Sequence, residues 1–159
     1  MRGNKDDQGC LFFTIDVESR IRRDHPLRAI KSLVDLILGE LDDEFEGSYS
    51  RVGRPSVPPE RLLKALLLMA LYSIRSERQL CERIDTDLLF RWFLDMNPEE
   101  DAFVPTAISH NRERLEQNGL ISAFFDAVLR RAIGGNLCSN EHFSVDGTLL
   151  KAWAGQKSI

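Results

Sequence analysis

The sequence predicts an all-α fold of about six helices, closed by a short C-terminal β-strand or hairpin. Three observations carry that expectation. Apolar residues recur at spacings of three and four from Leu27 onward, and one segment, Leu62 to Leu71, is apolar nearly all round. Alternation of apolar and polar residues, the mark of a half-buried strand, is found at 142–146.

Residues 1–10 are polar and read as a flexible N-terminus. The first helix is predicted from about Pro26 to Phe45, because Leu27, Ile30, Val34, Ile37 and Leu41 form one stripe and Pro26 suits a first turn. Asp42, Asp43, Glu44 and Glu46 lie badly at a helix C-terminus, where the dipole favours cations, so that end is expected to fray into a Gly47–Pro59 connector. Gly53, Pro55, Pro58 and Pro59 keep the connector extended.

The next helix, about Pro59 to Ile74, must be covered on most sides and is the expected centre of the core. Ser76, with Gln79 three residues on, reads as a capping box opening a short helix to Ile84. Thr86 is the expected start of another, to about Leu94, and the acidic Pro98–Asp101 stretch is a loop. A polar helix from Thr106 should end at Asn118–Gly119, a good C-terminal pair, and Leu120 to Ile133 is cleanly amphipathic until Gly134 and Gly135 stop it. The chain then divides into 1–10, a helical domain at 11–139, and a strand and turn at 140–159.

With 43% hydrophobic and 29% charged residues, the chain can bury a core, which excludes wholesale disorder. Asp6 and Asp7 ahead of a short apolar patch argue against a signal peptide. The longest apolar run, Ala65 to Tyr72, falls far short of the roughly 20 residues that cross a bilayer. A cytoplasmic protein with no membrane partner and no small-molecule substrate is expected. Cys10, Cys81 and Cys138 are odd in number and widely spaced, against a disulfide framework. Cys138 and His142 offer half a zinc site, and no second half follows at a usual spacing. The net charge of −4 sits awkwardly with nucleic-acid binding; only the middle of the chain, 51–95, is mildly basic.

Four features bear on chemistry. Asp146-Gly147 after an alternating strand is either a hairpin turn or a magnesium ligand at a strand end. Ser76 to Met96 has the length of a helix-turn-helix, although its second helix is mostly apolar with acid at its start, which favours a packed helical hairpin. Arg51, Arg54, Arg61 and Lys64 gather around the connector, as a minor-groove arm or as routine surface charge. Arg112 and Arg114, beside His110 and Asn111, are candidates for phosphate contact, as are Arg20, Arg22 and Arg23, diluted by Glu18 and Asp24.

Several segments, taken in order, carry a resemblance. Gly53-Arg54-Pro55-Ser56, Leu62-Leu63-Lys64-Ala65-Leu66-Leu67-Leu68, Arg75-Ser76-Glu77-Arg78-Gln79-Leu80, Phe90-Arg91-Trp92-Phe93 and Asn111-Arg112-Glu113-Arg114-Leu115 resemble the N-terminal domain of InsH-like insertion-sequence transposases. Phe143 to Ala154, with Asp146 inside it, is similar to the first catalytic strand of that family. The resemblance covers about residues 11–157. It implies a helical region that engages transposon-end DNA or a partner subunit, joined to an RNase H-like domain whose Asp-Asp-Glu triad holds magnesium. Asp146 corresponds to the first acid of that triad and would be its metal ligand only in a complete domain. The second aspartate and the glutamate do not occur in these 159 residues, so the expectation is a fragment that needs no cofactor and does not catalyse transposition alone. Its expected partners are DNA, a second copy of itself or the intact transposase, the last two as a dimerisation or inhibitory module. One departure stands out: Phe103-Val104-Pro105-Thr106 lacks an aspartate ahead of Thr106, which puts a helix-capping or docking contact there in question.

Overall fold

The computed structural model describes residues 16–48 and 56–135, and these are mostly helical, with no strand among them. In order the described helices are α1 (Val17–Arg20), α2 (Pro26–Glu40), α3 (Asp42–Ser48), α4 (Pro59–Leu71), α5 (Glu77–Thr86), α6 (Leu88–Phe93), α7 (Pro105–Gln117) and α8 (Leu120–Gly134). The all-α expectation holds. The flexible start at 1–10 and the strand at 142–154 lie outside the described residues.

The predicted Pro26–Phe45 helix is two helices. Leu41 leaves helical geometry at φ −92° and ψ 2°, and its N–H is shared between the carbonyls of Ile37 and Leu38. The acidic run expected to fray a C-terminus instead fills the first turn of α3, where the helix dipole favours it. Phe45, 3% exposed, then pins α3 to the core. The four-residue α1, which periodicity is too coarse to detect, opens on Asp16, whose carboxylate accepts from the Glu18 N–H at 3.1 Å.

α4 is the buried centre, with Leu62, Leu63, Ala65, Leu66, Leu67, Leu68 and Met69 all inaccessible. It ends three residues earlier than predicted because Ile74 belongs to its cap. Ser73 is left-handed at φ 51°, the Ile74 N–H donates to the Met69 carbonyl at 2.9 Å, and the Ser73 N–H donates to Ala70 at 3.3 Å. This is a Schellman closure built on serine rather than glycine. The same motif closes α6, with Asp95 left-handed at φ 54° and the Met96 N–H on the Arg91 carbonyl at 2.9 Å.

Ser76 caps α5 as expected, its hydroxyl accepting from the Gln79 N–H at 3.2 Å. Ser76→Ala should cost about 1 kcal/mol, read as a lowered midpoint in urea; an unchanged midpoint would show that the cap contributes nothing. The next cap is Asp87 rather than Thr86. Its carboxylate accepts from the Leu89 N–H at 2.9 Å, while the Thr86 hydroxyl donates back to the Glu82 carbonyl and extends α5 beyond Ile84. α7 begins on Pro105 behind Val104, which supplies no side-chain cap. Gly119, left-handed at φ 69°, joins α7 to α8.

α7 and α8 pack on each other and on α4; α2 lies along α8, α5 against α6 and α7, and α1 against α6. The largest fully buried side chains are Phe90, Phe93 and Phe124, surrounded by Leu62, Leu63, Leu80, Ile84, Ile108 and Leu115. No helix among the described residues is long and apolar enough to cross a membrane.

Candidate functional site

A lysine inside an apolar helix needs a partner, because an unpaired buried ammonium is costly. Lys64 of α4 is 4% exposed and finds two: Asp35 of α2 and Asp95 after α6, each at 2.5 Å. Lys31 of α2 joins them, at 2.6 Å from Asp95 and 3.2 Å from Asp35. The left-handed backbone at Asp95 places its carboxylate between the two lysines. Burial opposes the charge on Asp95, but hydrogen bonds from Lys31 and Lys64 outweigh it and hold the carboxyl below its ordinary range. Burial likewise opposes the charge on Lys31, and Asp95 and Asp35 together outweigh it, raising the ammonium. Arg61 closes the edge of this cluster by pairing with Glu100 and donating to the Asp95 carbonyl at 2.9 Å.

The sequence leaves Arg61 and Lys64 either as part of a DNA-facing arm or as routine surface charge. The structure places both in this internal network, which ties α2 and α4 to the loop after α6. Arg51 and Arg54 lie outside the described residues, as does Asp146. Arg112 is drawn to Glu77 at 3.0 Å and is one-third exposed. Arg114 is half-buried, and its backbone carbonyl accepts from the Asn118 side chain at 3.0 Å. Arg22 pairs with Asp24 at 2.5 Å, leaving Arg20 and Arg23 exposed beside it.

The helical hairpin at 76–96 is packed as its composition suggests. α6 turns Phe90, Arg91 and Phe93 inward, and the Arg91 guanidinium donates to the carbonyls of Asn97, Glu100 and Asp85. Trp92 is pinned from outside: its indole N–H donates to Glu18, and Arg28 and Lys31 lie over its ring at 5.2 and 5.8 Å.

α5 divides cleanly. Leu80, Cys81 and Ile84 are buried, and burial pushes the Cys81 thiol up to about 11, the mark of an inert core sulfur. Arg78, Gln79, Glu82 and Arg83 are exposed on the other side. Arg83 stacks over Phe90 and Tyr72 at 4.7 and 5.4 Å and, with Gln79, Glu82 and Thr86, lines an open groove of about 470 Å³. Arg75 and Arg78 are exposed and have no ion-pair partner among the described residues. Sequence reasoning used these two arginines only to support a resemblance. The signal that singles them out is the apolar set Leu80, Cys81 and Ile84, which fixes the opposite face as the wet one.

A family profile described as a transposase domain (DUF772) matches residues 15–114, from the start of α1 into α7. No curated protein and no solved structure matches the chain.

Proposed function

The chain belongs to the transposase-domain family DUF772, and from that premise we propose that its helical domain is the part of a transposase that engages duplex DNA. The observation that carries the reading, beside family membership, is the pair of exposed, unpartnered arginines at the start of α5. Most other described cations are already committed to carboxylates. Duplex affinity comes chiefly from phosphate neutralisation, so cations without internal partners are the ones available for it.

The resemblance to InsH-like enzymes supports a finer version, in which the domain holds transposon ends in the cytoplasm for an RNase H-like domain beginning with Asp146. Magnesium would belong to that second domain. On that reading the helical domain contributes binding to the reaction and the second domain the bond breakage.

A second reading rests on a different surface. Ile121, Phe125, Val128 and Leu129 of α8 are only partly covered, and Leu36 and Ile133 are 66% and 59% exposed. That favours association with a second copy or an intact transposase.

A salt series separates the two. With about three phosphates neutralised, duplex affinity should fall roughly 10- to 100-fold between about 50 and 200 mM salt, measured by fluorescence anisotropy. Association through apolar surface should persist across the same range in sedimentation velocity. A chain that self-associates in all salts and binds no duplex would replace the first reading with the second.

A further inference from the structure

We propose that α4, the turn Tyr72–Ser76 and α5 form a helix-turn-helix unit whose second helix meets duplex DNA through Arg75, Arg78 and Gln79. The proposal rests on the DNA-binding reading above and assigns the surface that performs it.

Of the helix pairs in the middle of the chain, α5 with α6 cannot present a reading helix. α6 spends its side chains on the core, and Asp87 places a carboxylate at its start, where phosphates would lie. α4 with α5 has the opposite character. α4 is buried and immobilised, as the supporting helix of such a unit must be. The turn is bonded at both ends: Ser73 and Ile74 donate back into α4, and Ser76 accepts from Gln79 in α5. α5 also packs on α6 and α7, so its wet face is pre-organised rather than carried on a loose loop.

The charge at the start of α5 favours an anionic partner. Glu77, the acid in its first turn, is turned inward with its side chain 15% exposed, engaged by the Ser109 hydroxyl and by Arg112. Arg75 and Arg78 flank it with nothing to neutralise them, and Arg112 lies behind. Gln79 is exposed between them and the groove. Arginine and glutamine have the fork geometries that pair with guanine and adenine edges, and arginine also clamps phosphate. Glu82 lies one turn further along the same face and Asp85 beyond it, both exposed. These acids confine the favourable footprint to the N-terminal half of the helix, the part that a helix-turn-helix protein inserts.

The test uses the full chain and a fluorescein-labelled mixed-sequence duplex spanning two helical turns, titrated by anisotropy at several salt concentrations. Arg75→Ala with Arg78→Ala should weaken binding about 10- to 100-fold and reduce the salt slope by about 2, one for each phosphate no longer neutralised. Arg75→Lys with Arg78→Lys should retain most of the affinity, which shows that charge rather than packing was removed. Arg130→Ala, an exposed cation on α8, should change binding less than about twofold and controls for net charge. Circular dichroism melts should superimpose, because neither Arg75 nor Arg78 makes an ion pair within the described residues. If the wild-type chain binds the duplex and the double alanine variant binds equally well, the surface is wrong and the DNA reading survives. An equal loss in Arg130→Ala has the same meaning. A wild-type chain that binds no duplex at low salt removes both.

Discussion

Arg91→Ala is expected to destabilise the chain by about 3–5 kcal/mol, the range for stripping a buried charged group of a connected network. The residue is 4% exposed in the middle of α6, and its guanidinium reaches three backbone carbonyls: Asn97 at 2.8 Å, Glu100 at 2.6 Å and Asp85 at 3.3 Å. Those carbonyls belong to two chain segments, the end of α5 and the loop that follows α6. Five donors on a rigid fork can satisfy both segments at once. Removing them takes a charged donor from all three carbonyls, of which Asn97 alone keeps a second, the Glu100 N–H at 3.0 Å; an acceptor left unsatisfied costs roughly 1–3 kcal/mol. Arg91→Lys should recover only a minor part, because a single ammonium cannot span both sides. Urea unfolding followed at 222 nm measures both variants, and a loss below about 1 kcal/mol for alanine would show that water replaces the guanidinium without penalty.

The second large effect concerns Lys64. Asp35→Asn with Asp95→Asn keeps side-chain shape, and asparagine tolerates the left-handed conformation at 95, so the change isolates charge. The buried ammonium would then lack a counter-charge. We expect a loss of about 2–3 kcal/mol, below the roughly 3–5 for a fully enclosed pair, since the two carboxylates are about half-exposed and screened. Lys64→Met should behave differently, changing stability by less than about 1 kcal/mol in either direction, because it removes the charge along with the need to pair it. Combining all three substitutions should return the part of the asparagines' cost that is owed to Lys64, while Lys31, which also loses both carboxylates, keeps its share. If Lys64→Met proves as damaging as the asparagine pair, the cluster is a net source of stability and the expected contrast fails. The same cluster sets pH behaviour. Asp95 has a depressed pKa, so its contribution is present above the unfolded value near 4 and is lost as acid carries the folded group through its own lower pKa. Lys31 has a raised pKa, so its contribution is complete below the unfolded value near 10.4 and disappears only at still higher pH.

Much of the helix pattern is legible in the sequence because its causes are local. The stripe from Leu27, the apolar run from Leu62, the Ser76 cap and the Asn118–Gly119 stop all act within one or two turns. The break at Leu41 is not, since the same acids that spoil one helix end make a good helix beginning, and sequence alone does not choose between them. Thr86 and Asp87 are both cap residues, and only the backbone decides which carries the role. The charged cluster escapes a sequence reading for a different reason. Lys31 and Lys64 meet Asp95 across 64 and 31 positions, so no window over the sequence pairs them. A warning is present nonetheless: Lys64 and Arg91 are cations flanked by apolar residues inside their helices, and such residues belong to an internal partner before they belong to a ligand. The same logic, applied to α5, separates Arg75 and Arg78 from the rest, because their face carries no apolar stripe to bury them.

Asn118 caps the end of α7 and Gly119 the start of α8, with no residue between the two caps. That junction has no tolerance for a change in length. One inserted residue would turn α8 by about 100° about its axis, swinging Phe124 away from the centre and Glu40's partner Arg131 away from α2. The stretch between Phe93 and Pro105 is no freer: the carbonyls of Asn97 and Glu100, on either side of Pro98, hold the Arg91 guanidinium, so a length change there would loosen α6 as well.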